Sequence, residues 1–597
     1  MKLKRIVSIV LCAAMILSAF CIPTSAAQAK ANYKPAYNTD TPVVIVHGMS
    51  QNDTYVLNED GTWKEDGKGG YINGWPLEID VMALVKEALP ELLLSALLRR
   101  DMGLTEAMKK GTYEALYAIH KDNQGNYLLP IEVPCYEYPM SEMTDELKAY
   151  YYNLLPLQGL AEIVGEENVY YFGYDSIGDV QYETEKLNRY IHEVVLPQTG
   201  SDTVRICPIS LGGTIAVNYL DRYPEDYDII ERMVFVVPAL NGSTIIGDLL
   251  IGNLSILNDD DMLYNKFLVS LLGDSWLSYL LNIVLRILPT DVLKSALGGL
   301  ADSLVETAIV PTTILWALCP AEYYAEGRAK WLESGNYPEI LEKADAYAAA
   351  RADFEENLAA LQAAGCEVFD IVCYGGTMFP LCADYDTTNG DGIVHATSAS
   401  MGAAFAAPGE EFPEDYVADG TYCSDPTHNH ISPDRNVDPT AGLLPCRTWY
   451  IKNQAHEKLP FNDVVLKMAF DIMCDENIED VYSRPDVYPQ FNEGRLTNTV
   501  KLYLAAWEEA DKSEITIAMT NAIEESVKEI NRQLGKTIVV TAEWEAAVED
   551  LRRNLVYAGV IEDTNPTELE NFFTRFMASV NGTVNDTANF FNSLFKK

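Results

Sequence analysis

The sequence predicts an α/β protein: a mostly parallel sheet with helices on both faces. Six short runs of β-branched and aromatic residues recur along the chain, as expected for strands buried on both faces. Amphipathic helical patterns separate several of these runs, and that alternation generates parallel strands. The 597 residues are 48% hydrophobic and 22% charged, so the chain can bury a large core and intrinsic disorder is excluded.

Each predicted element follows from its local pattern. The predicted strands are Thr41–Met49, Val169–Tyr174, Val204–Ile209, Met233–Val237, Val368–Cys373 and Thr448–Ile451. A helix is predicted at Thr184–Val195, because Leu187 and Ile191 share its apolar face. A second helix, Gly212–Tyr223, follows the third strand directly.

Two insertions interrupt this alternation. One covers about 80–160 and contains the apolar helical stretch Val81–Leu98. The other covers about 240–364, where Trp276 and Leu280 belong to an apolar pattern with helical spacing. Two interpretations stay open. The insertions add to the core, or they form a cap whose apolar face lines a pocket for a hydrophobic substrate.

The two ends of the chain differ from the α/β domain, which we expect to cover 30–479. Three basic residues precede the apolar run Ile6–Phe20, and small-residue cleavage patterns follow, which is typical of a secretory signal peptide over 1–29. We therefore expect a secreted, extracellular protein. The remainder, 480–597, is predicted as a helical C-terminal region without a strand. Its expected helices are Thr497–Lys512, Glu514–Leu534, Ala542–Val560 and Thr567–Val580.

Composition excludes several function classes. The 88 acidic and 43 basic residues give a net charge of −45, which repels nucleic acid. The most apolar stretch, Phe267–Leu288, is interrupted by Asp274 and Arg286, so we expect no transmembrane segment. Eleven cysteines form no disulfide framework in so long a chain, although the sequence is compatible with a bridge such as Cys423 to Cys446. The oligomeric state is not predicted.

The sharpest catalytic signal surrounds Ser210. The strand Val204–Ile209 turns at Ser210 directly into a helix, and Gly212 and Gly213 allow strand and helix to approach closely. This arrangement is a nucleophile elbow, which holds a hydroxyl above the sheet. The alternative, that Ser210 only caps the helix, would not require two glycines behind it.

A serine nucleophile requires a histidine base that is oriented by a carboxylate. On a sheet of this kind the order along the chain is Ser, acid, His, with the histidine after the last strand. His456 is in that position and is the predicted base. His47 and His120 come too early, and His192 lies on a helix before the elbow.

Asp391 is the predicted acid. It belongs to a loop after the fifth strand, where Gly392 allows a tight turn and Ile393 and Val394 anchor that turn to the core. The same loop resembles part of a calcium site, with Asn389 and Asp391 as ligands. The first and twelfth ligand positions lack carboxylates, so a structural calcium ion is an alternative and not the prediction. No cofactor is predicted.

Two further sets of polar groups are candidates for a site, one of backbone N–H groups and one of histidines. The backbone N–H groups of Met49 and Leu211 are the predicted oxyanion donors, because each follows a turn at the end of a strand. His428 and His430 could bind a metal with Asp425, but the sequence offers no third strong ligand. We therefore interpret that segment as a polar loop, and no metal site is predicted.

Five motifs together resemble the α/β-hydrolase lipases, especially the lecithin:cholesterol acyltransferase-like branch and the bacterial triacylglycerol lipases. The motifs are Val43–Met49, Phe172–Asp175, the Ser210 elbow, Asn389–Val394 and Gln454–Leu459. The likeness covers about 41–475 as spaced motifs. It implies an α/β-hydrolase fold, with Ser210 as nucleophile, Asp391 as acid, His456 as base, and Met49 and Leu211 as oxyanion donors. Two positions depart from the pattern: Pro208 replaces the first glycine of the elbow, and Ser176 replaces a tryptophan.

The residues and the resemblance predict a secreted serine esterase or lipase that acts on a hydrophobic ester or lipid. An acyltransferase with the same acyl-enzyme is one alternative. A non-catalytic lipid-binding protein on a hydrolase scaffold is the other, and Pro208 is the feature that favours it.

Overall fold

The computed structural model describes residues 34–67, 70–77, 81–266, 283, 285–485, 487–494, 498–510, 512, 515–534 and 541–561. Three sequence predictions concern residues outside this part of the chain. They are the signal peptide, most of the apolar stretch 267–288, and the helix predicted at 567–580.

A seven-stranded sheet in which every neighbouring pair is parallel forms the centre of the protein. Its strands are β1 (Val43–Val46), β2 (Val169–Phe172), β3 (Val204–Pro208), β4 (Ile230–Val236), β5 (Glu367–Tyr374), β6 (Thr448–Lys452) and β7 (Phe491–Glu493). The order across the sheet is β7-β6-β5-β4-β3-β1-β2. Six of these strands are the six predicted from the sequence.

β7 was not predicted, and it lies in the segment expected to be helical. It pairs in parallel with β6 at the edge of the sheet, through Tyr450 and Phe491 among others. Three residues are too few to show a strand period, and an edge strand needs no continuous apolar run. The sheet therefore extends beyond residue 479.

Both faces of the sheet are buried. Val44 and Val46 of β1 pack into one hydrophobic cluster, whereas Val43 and Ile45 pack into the other. This alternation confirms the predicted helix–sheet–helix layering. The longer helices up to residue 474 are Val81–Leu98, Leu104–Ala115, Asp145–Leu154, Gln158–Val164, Val180–Arg189, Gly212–Arg222, Thr244–Ile251, Thr290–Leu304, Ala321–Trp331, Pro338–Ala352, Phe354–Ala363 and Asp463–Cys474.

The two insertions pack against each other. Helix Leu104–Ala115 of the first lies on helix Thr290–Leu304 of the second, where the Ser303 hydroxyl donates to the Lys109 carbonyl at 3.0 Å. A Cβ on Gly299 would lie 2.8 Å from the Thr105 side chain, so the glycine permits this approach. The first insertion also carries a small antiparallel sheet, which the sequence patterns did not indicate. Its strands are Thr54–Val56, Asn73–Trp75 and Ile131–Glu132.

The C-terminal part of the described chain is helical after β7. Its helices are Asn498–Glu509, Ile517–Leu534 and Thr541–Tyr557. They share a small core of their own, which includes Trp507, Ile530 and Leu551. Within the described residues, no helix has the length and apolar character needed to cross a bilayer.

The connections around β1 create the place where a site can form. β1 lies between β2 and β3. After β1 the chain forms β2 on one side of it, and after β2 it forms β3 on the other side. A crevice opens at such a reversal, outside the carboxyl ends of the strands. Gly48 and Met49 follow β1 at this edge, and Ser210 follows β3.

Gly212→Ala tests the close approach behind Ser210. A Cβ on Gly212 would lie 2.2 Å from the Val46 carbonyl oxygen, so the helix must move away from β1. We expect a loss of about 1–3 kcal/mol in the free energy of unfolding, measured by denaturant titration. The control is Gly298→Ala in helix Thr290–Leu304, where the nearest atom would be 3.8 Å away. It should gain about 0.5–1 kcal/mol, and equal effects in both variants would contradict this account.

Candidate active site

Ser210 occupies a backbone conformation that is rare for a residue with a side chain. Its φ is +52°, in the left-handed region. The turn is held by the Ile209 N–H, which donates to the Val46 carbonyl at 2.9 Å, and by the Ser210 N–H, which donates to the Val236 carbonyl at 3.0 Å. Pro208 ends β3 opposite Val46, and the elbow forms with proline in that position.

The structure brings the side chains of Ser210, Asp391 and His456 together. His456 Nε2 lies 2.8 Å from Ser210 Oγ, and His456 Nδ1 lies 2.7 Å from Asp391 Oδ2. Because an ionised carboxylate can only accept, Nδ1 carries the proton of a neutral His456. Nε2 is then left to accept from the Ser210 hydroxyl. The three side chains form one hydrogen-bonded relay from a carboxylate to a hydroxyl.

Backbone contacts fix the direction of the Asp391 carboxylate. Its Oδ1 accepts from the N–H groups of Ile393 at 3.0 Å and Val394 at 2.8 Å. Gly392 has a φ of +99°, which the tight turn requires. The His456 N–H also donates to the Asp391 carbonyl at 3.0 Å. The predicted turn is confirmed, and it leaves Oδ2 for the imidazole.

The surroundings of His456 favour its protonated form. Burial is the largest influence and by itself lowers the pKa of the ring, but the charge and hydrogen bond of Asp391 together outweigh it. The pKa of His456 is therefore raised above its ordinary value near 6.5. The side chain of Asp391 is 1% exposed, so solvent screens this interaction little.

The predicted oxyanion donors flank Ser210. A Cβ on Gly48 would lie 3.1 Å from the Ser210 Cβ, so the loop after β1 runs directly against the serine. The Gly48 N–H donates to Gln51 Oε1 at 2.7 Å. Among the described residues, the N–H groups of Met49 and Leu211 donate to no protein acceptor. Leu211 precedes helix Gly212–Arg222, where N–H groups have no partner within the helix.

His47 acts on this loop, which the sequence analysis did not predict. Its ring is buried and stacks on Tyr174 with centroids 4.1 Å apart. Nδ1 donates to the Gly48 carbonyl at 2.6 Å, and Nε2 accepts from the Tyr174 N–H at 3.3 Å. Burial lowers the pKa of His47 to about 4, so the ring is neutral and suits both contacts. Because a peptide is planar, holding the Gly48 carbonyl also fixes the direction of the Met49 N–H.

Two other polar side chains support the same region. Ser176 accepts from the Ser50 N–H at 3.3 Å. Asn389 accepts from the Gly375 N–H at 2.7 Å and donates to Asn436 Oδ1 at 2.7 Å. Asn389 and Asp391 are the two ligands of the alternative calcium site. In the structure Asn389 bonds to Gly375 and Asn436, whereas Asp391 bonds to its own turn and to His456.

No family model matches the chain, and no curated protein does. Among solved structures, the chain is similar to one described as a Tle4–Tli4 complex. The identity is 10%, the alignment covers 72% of this chain and 98% of the other, and the TM-score is 0.27. The α/β-hydrolase fold of this protein is defined by its own parallel sheet, by the elbow after β3 and by the helical insertions.

The raised pKa of His456 predicts the pH dependence of any reaction in which Nε2 takes a proton. His456 must be neutral to accept, so kcat/KM should fall as the pH drops through a value above 6.5. Asp391→Asn removes the charge that raises this pKa. We expect the acid limb to move to lower pH and kcat to fall by about 10⁴-fold. An acid limb at the same pH in the variant and the wild type, measured with a soluble ester, would contradict the assignment.

Proposed function

We propose that the protein is a serine hydrolase that cleaves carboxylic esters of hydrophobic acyl chains. The observation that carries this proposal is the relay of Asp391, His456 and Ser210, with contacts of 2.7 and 2.8 Å. The N–H groups of Met49 and Leu211 beside the serine add to it, since among the described residues they donate to no protein acceptor. The motifs shared with the α/β-hydrolase lipases point to the same chemistry.

In the proposed reaction, Ser210 Oγ attacks the ester carbonyl while His456 Nε2 takes the hydroxyl proton. The negative charge on the carbonyl oxygen is stabilised by the Met49 and Leu211 N–H groups. The tetrahedral intermediate collapses, His456 returns the proton to the leaving alcohol, and an acyl group stays on Ser210. Water then attacks the acyl group with the same base, releases the acid and restores the serine.

The preference for a hydrophobic ester is supported by the first insertion. Helix Val81–Leu98 leaves Leu93 60% and Leu97 77% exposed, and these two residues share one face at a spacing of four. Ile287, in the second insertion, is 54% exposed. Exposed leucines on one face of a helix are a surface on which an acyl chain or a lipid aggregate can lie.

The proposal assigns the catalytic groups to the domain expected at 30–479, to which β7 adds an edge strand. It assigns no catalytic step to the C-terminal helices. The predicted signal peptide belongs to the same proposal, because a secreted lipase meets its substrate outside the cell.

Substitutions at the relay test the proposed reaction. Ser210→Ala removes the proposed nucleophile, and His456→Ala removes its base. Each variant should lower p-nitrophenyl ester turnover by about 10⁴- to 10⁶-fold. His192→Ala is the control, because that ring pairs with Asp226 and takes no part in the relay. It should keep wild-type kcat/KM.

The same assays distinguish the alternatives. A folded wild-type protein without turnover on any ester would contradict catalysis and favour a lipid-binding protein. If an added alcohol outcompetes water for the acyl group, the enzyme is an acyltransferase.

The exposed leucines predict a dependence on the physical state of the substrate. Leu97→Glu should lower activity on an emulsified long-chain triacylglycerol at least about 10-fold, because a charge there opposes contact with an apolar surface. Activity on a soluble short-chain ester should stay within about twofold. Val417→Glu, at a residue that is 83% exposed, is the control and should change neither rate. Equal losses on both substrates in Leu97→Glu would contradict this role.

A further inference from the structure

Cys423, His428 and Cys446 form a cluster that takes no part in the proposed hydrolysis. Both sulfur atoms lie 3.3 Å from His428 Nδ1, and the two sulfurs are 3.9 Å apart. The sequence around His428 predicts a polar loop, because no third strong ligand is evident from spacing alone. Cys446, 18 residues further along the chain, supplies that ligand in the fold.

The distances distinguish between three explanations of the cluster. A disulfide requires sulfurs about 2.05 Å apart, which is far less than the observed separation. Thiol hydrogen bonds account for only part of it. Cys446 can donate to the Cys423 sulfur and Cys423 to Nδ1, but a neutral Nδ1 has one lone pair, so the 3.3 Å contact between the Cys446 sulfur and Nδ1 stays unexplained. A tetrahedral zinc ion, with Zn–S about 2.3 Å and Zn–N about 2.05 Å, separates the sulfurs by about 3.8 Å and each sulfur from the nitrogen by about 3.6 Å. The observed distances are near these values.

We propose that Cys423, Cys446 and His428 bind a zinc ion. Two thiolates and a neutral imidazole balance the charge of Zn²⁺, and thiolate ligands favour zinc over magnesium or calcium. The His428 side chain is 31% exposed, so the ion can enter from solvent and a water molecule takes the fourth corner of the tetrahedron.

The surroundings hold His428 in the orientation that a metal ligand needs. Its ring stacks on Tyr482 with centroids 4.5 Å apart, and the Tyr482 hydroxyl accepts from the Asn429 N–H at 2.8 Å. Asp425 Oδ2 lies 3.8 Å from Nε2, the ring nitrogen that faces away from the sulfurs. A carboxylate near the outer nitrogen is the usual partner of a metal-bound histidine, which it orients through a hydrogen bond. The separation here is longer than a hydrogen bond, so Asp425 is placed near the ring without yet bonding to it.

The position of the cluster gives the ion a structural role. The segment 406–436, all of it described, contains no helix or strand of its own, and long segments of this kind need another constraint. Cys423 and His428 belong to that segment. Cys446 precedes β6, and the Val481 N–H donates to its carbonyl at 2.9 Å. The ion would join the segment 406–436 to the start of β6, and His456 follows the other end of β6.

Metal analysis of the full chain, purified without chelators, tests this site. We expect about one equivalent of zinc per chain in the wild type, and at least about 10-fold less in Cys423→Ser and in Cys446→Ser. Cys135→Ser is the matched control, because this partly buried cysteine lies outside the cluster, and it should keep its zinc. Replacing zinc with Co²⁺ in the wild type should produce sulfur-to-cobalt charge-transfer absorption.

A second substitution separates metal binding from folding. Asp425→Asn should keep both sulfurs and the imidazole, and should weaken zinc binding by about 10–100-fold in competition with a chelator. Its circular dichroism spectrum should match that of the wild type. Unchanged affinity would contradict the role assigned to the carboxylate.

Three results would overturn the site itself. They are a folded wild type without zinc and without cobalt charge-transfer bands, a cysteine variant that keeps its zinc, and a non-reduced peptide map that shows a disulfide between Cys423 and Cys446. Ester turnover is measured separately in each case, so failure of the zinc site and failure of the proposed hydrolysis are distinguishable.

Discussion

The candidate site depends on a close approach between two backbones at the centre of the sheet. Gly212 lies so near the Val46 carbonyl that no side chain fits between them, and this approach positions the helix that follows Ser210. The turn consequently places Ser210 at a φ of +52° and directs its hydroxyl towards the crevice. The N–H groups of Ile209 and Ser210 donate to carbonyls of β1 and β4, so the surrounding sheet holds the serine in this conformation.

Two histidines lie at the same edge of the sheet, and their different surroundings move their pKa values in opposite directions. His47 is buried without a carboxylate partner, so burial lowers its pKa to about 4 and keeps it neutral. The His456 side chain is 12% exposed, and Asp391 raises its pKa above the ordinary value. One ring therefore donates to the loop after β1 and accepts from the backbone that follows β2. The other can exchange a proton with Ser210.

The sequence was sufficient to predict features that depend on strong local patterns. The six long strands, the glycines of the elbow and the turn at Gly392 each follow from a run of apolar residues or a required φ. Features that depend on tertiary contacts could not be predicted. β7 is too short to show a period, and the role of His47 follows only from its contacts with Gly48 and Tyr174. The approach of Cys446 to His428 likewise arises from folding, because sequence spacing alone does not bring them together.

The central claim, that Ser210 is a nucleophile activated by His456, is tested most directly by covalent labelling. The purified chain is incubated with a fluorophosphonate, digested, and analysed by mass spectrometry to locate the adduct. The account predicts one phosphonate per chain, on the peptide that contains Ser210, at a rate that falls sharply in His456→Ala. A folded wild-type protein that remains unlabelled, or that is labelled on a different residue, would contradict the account.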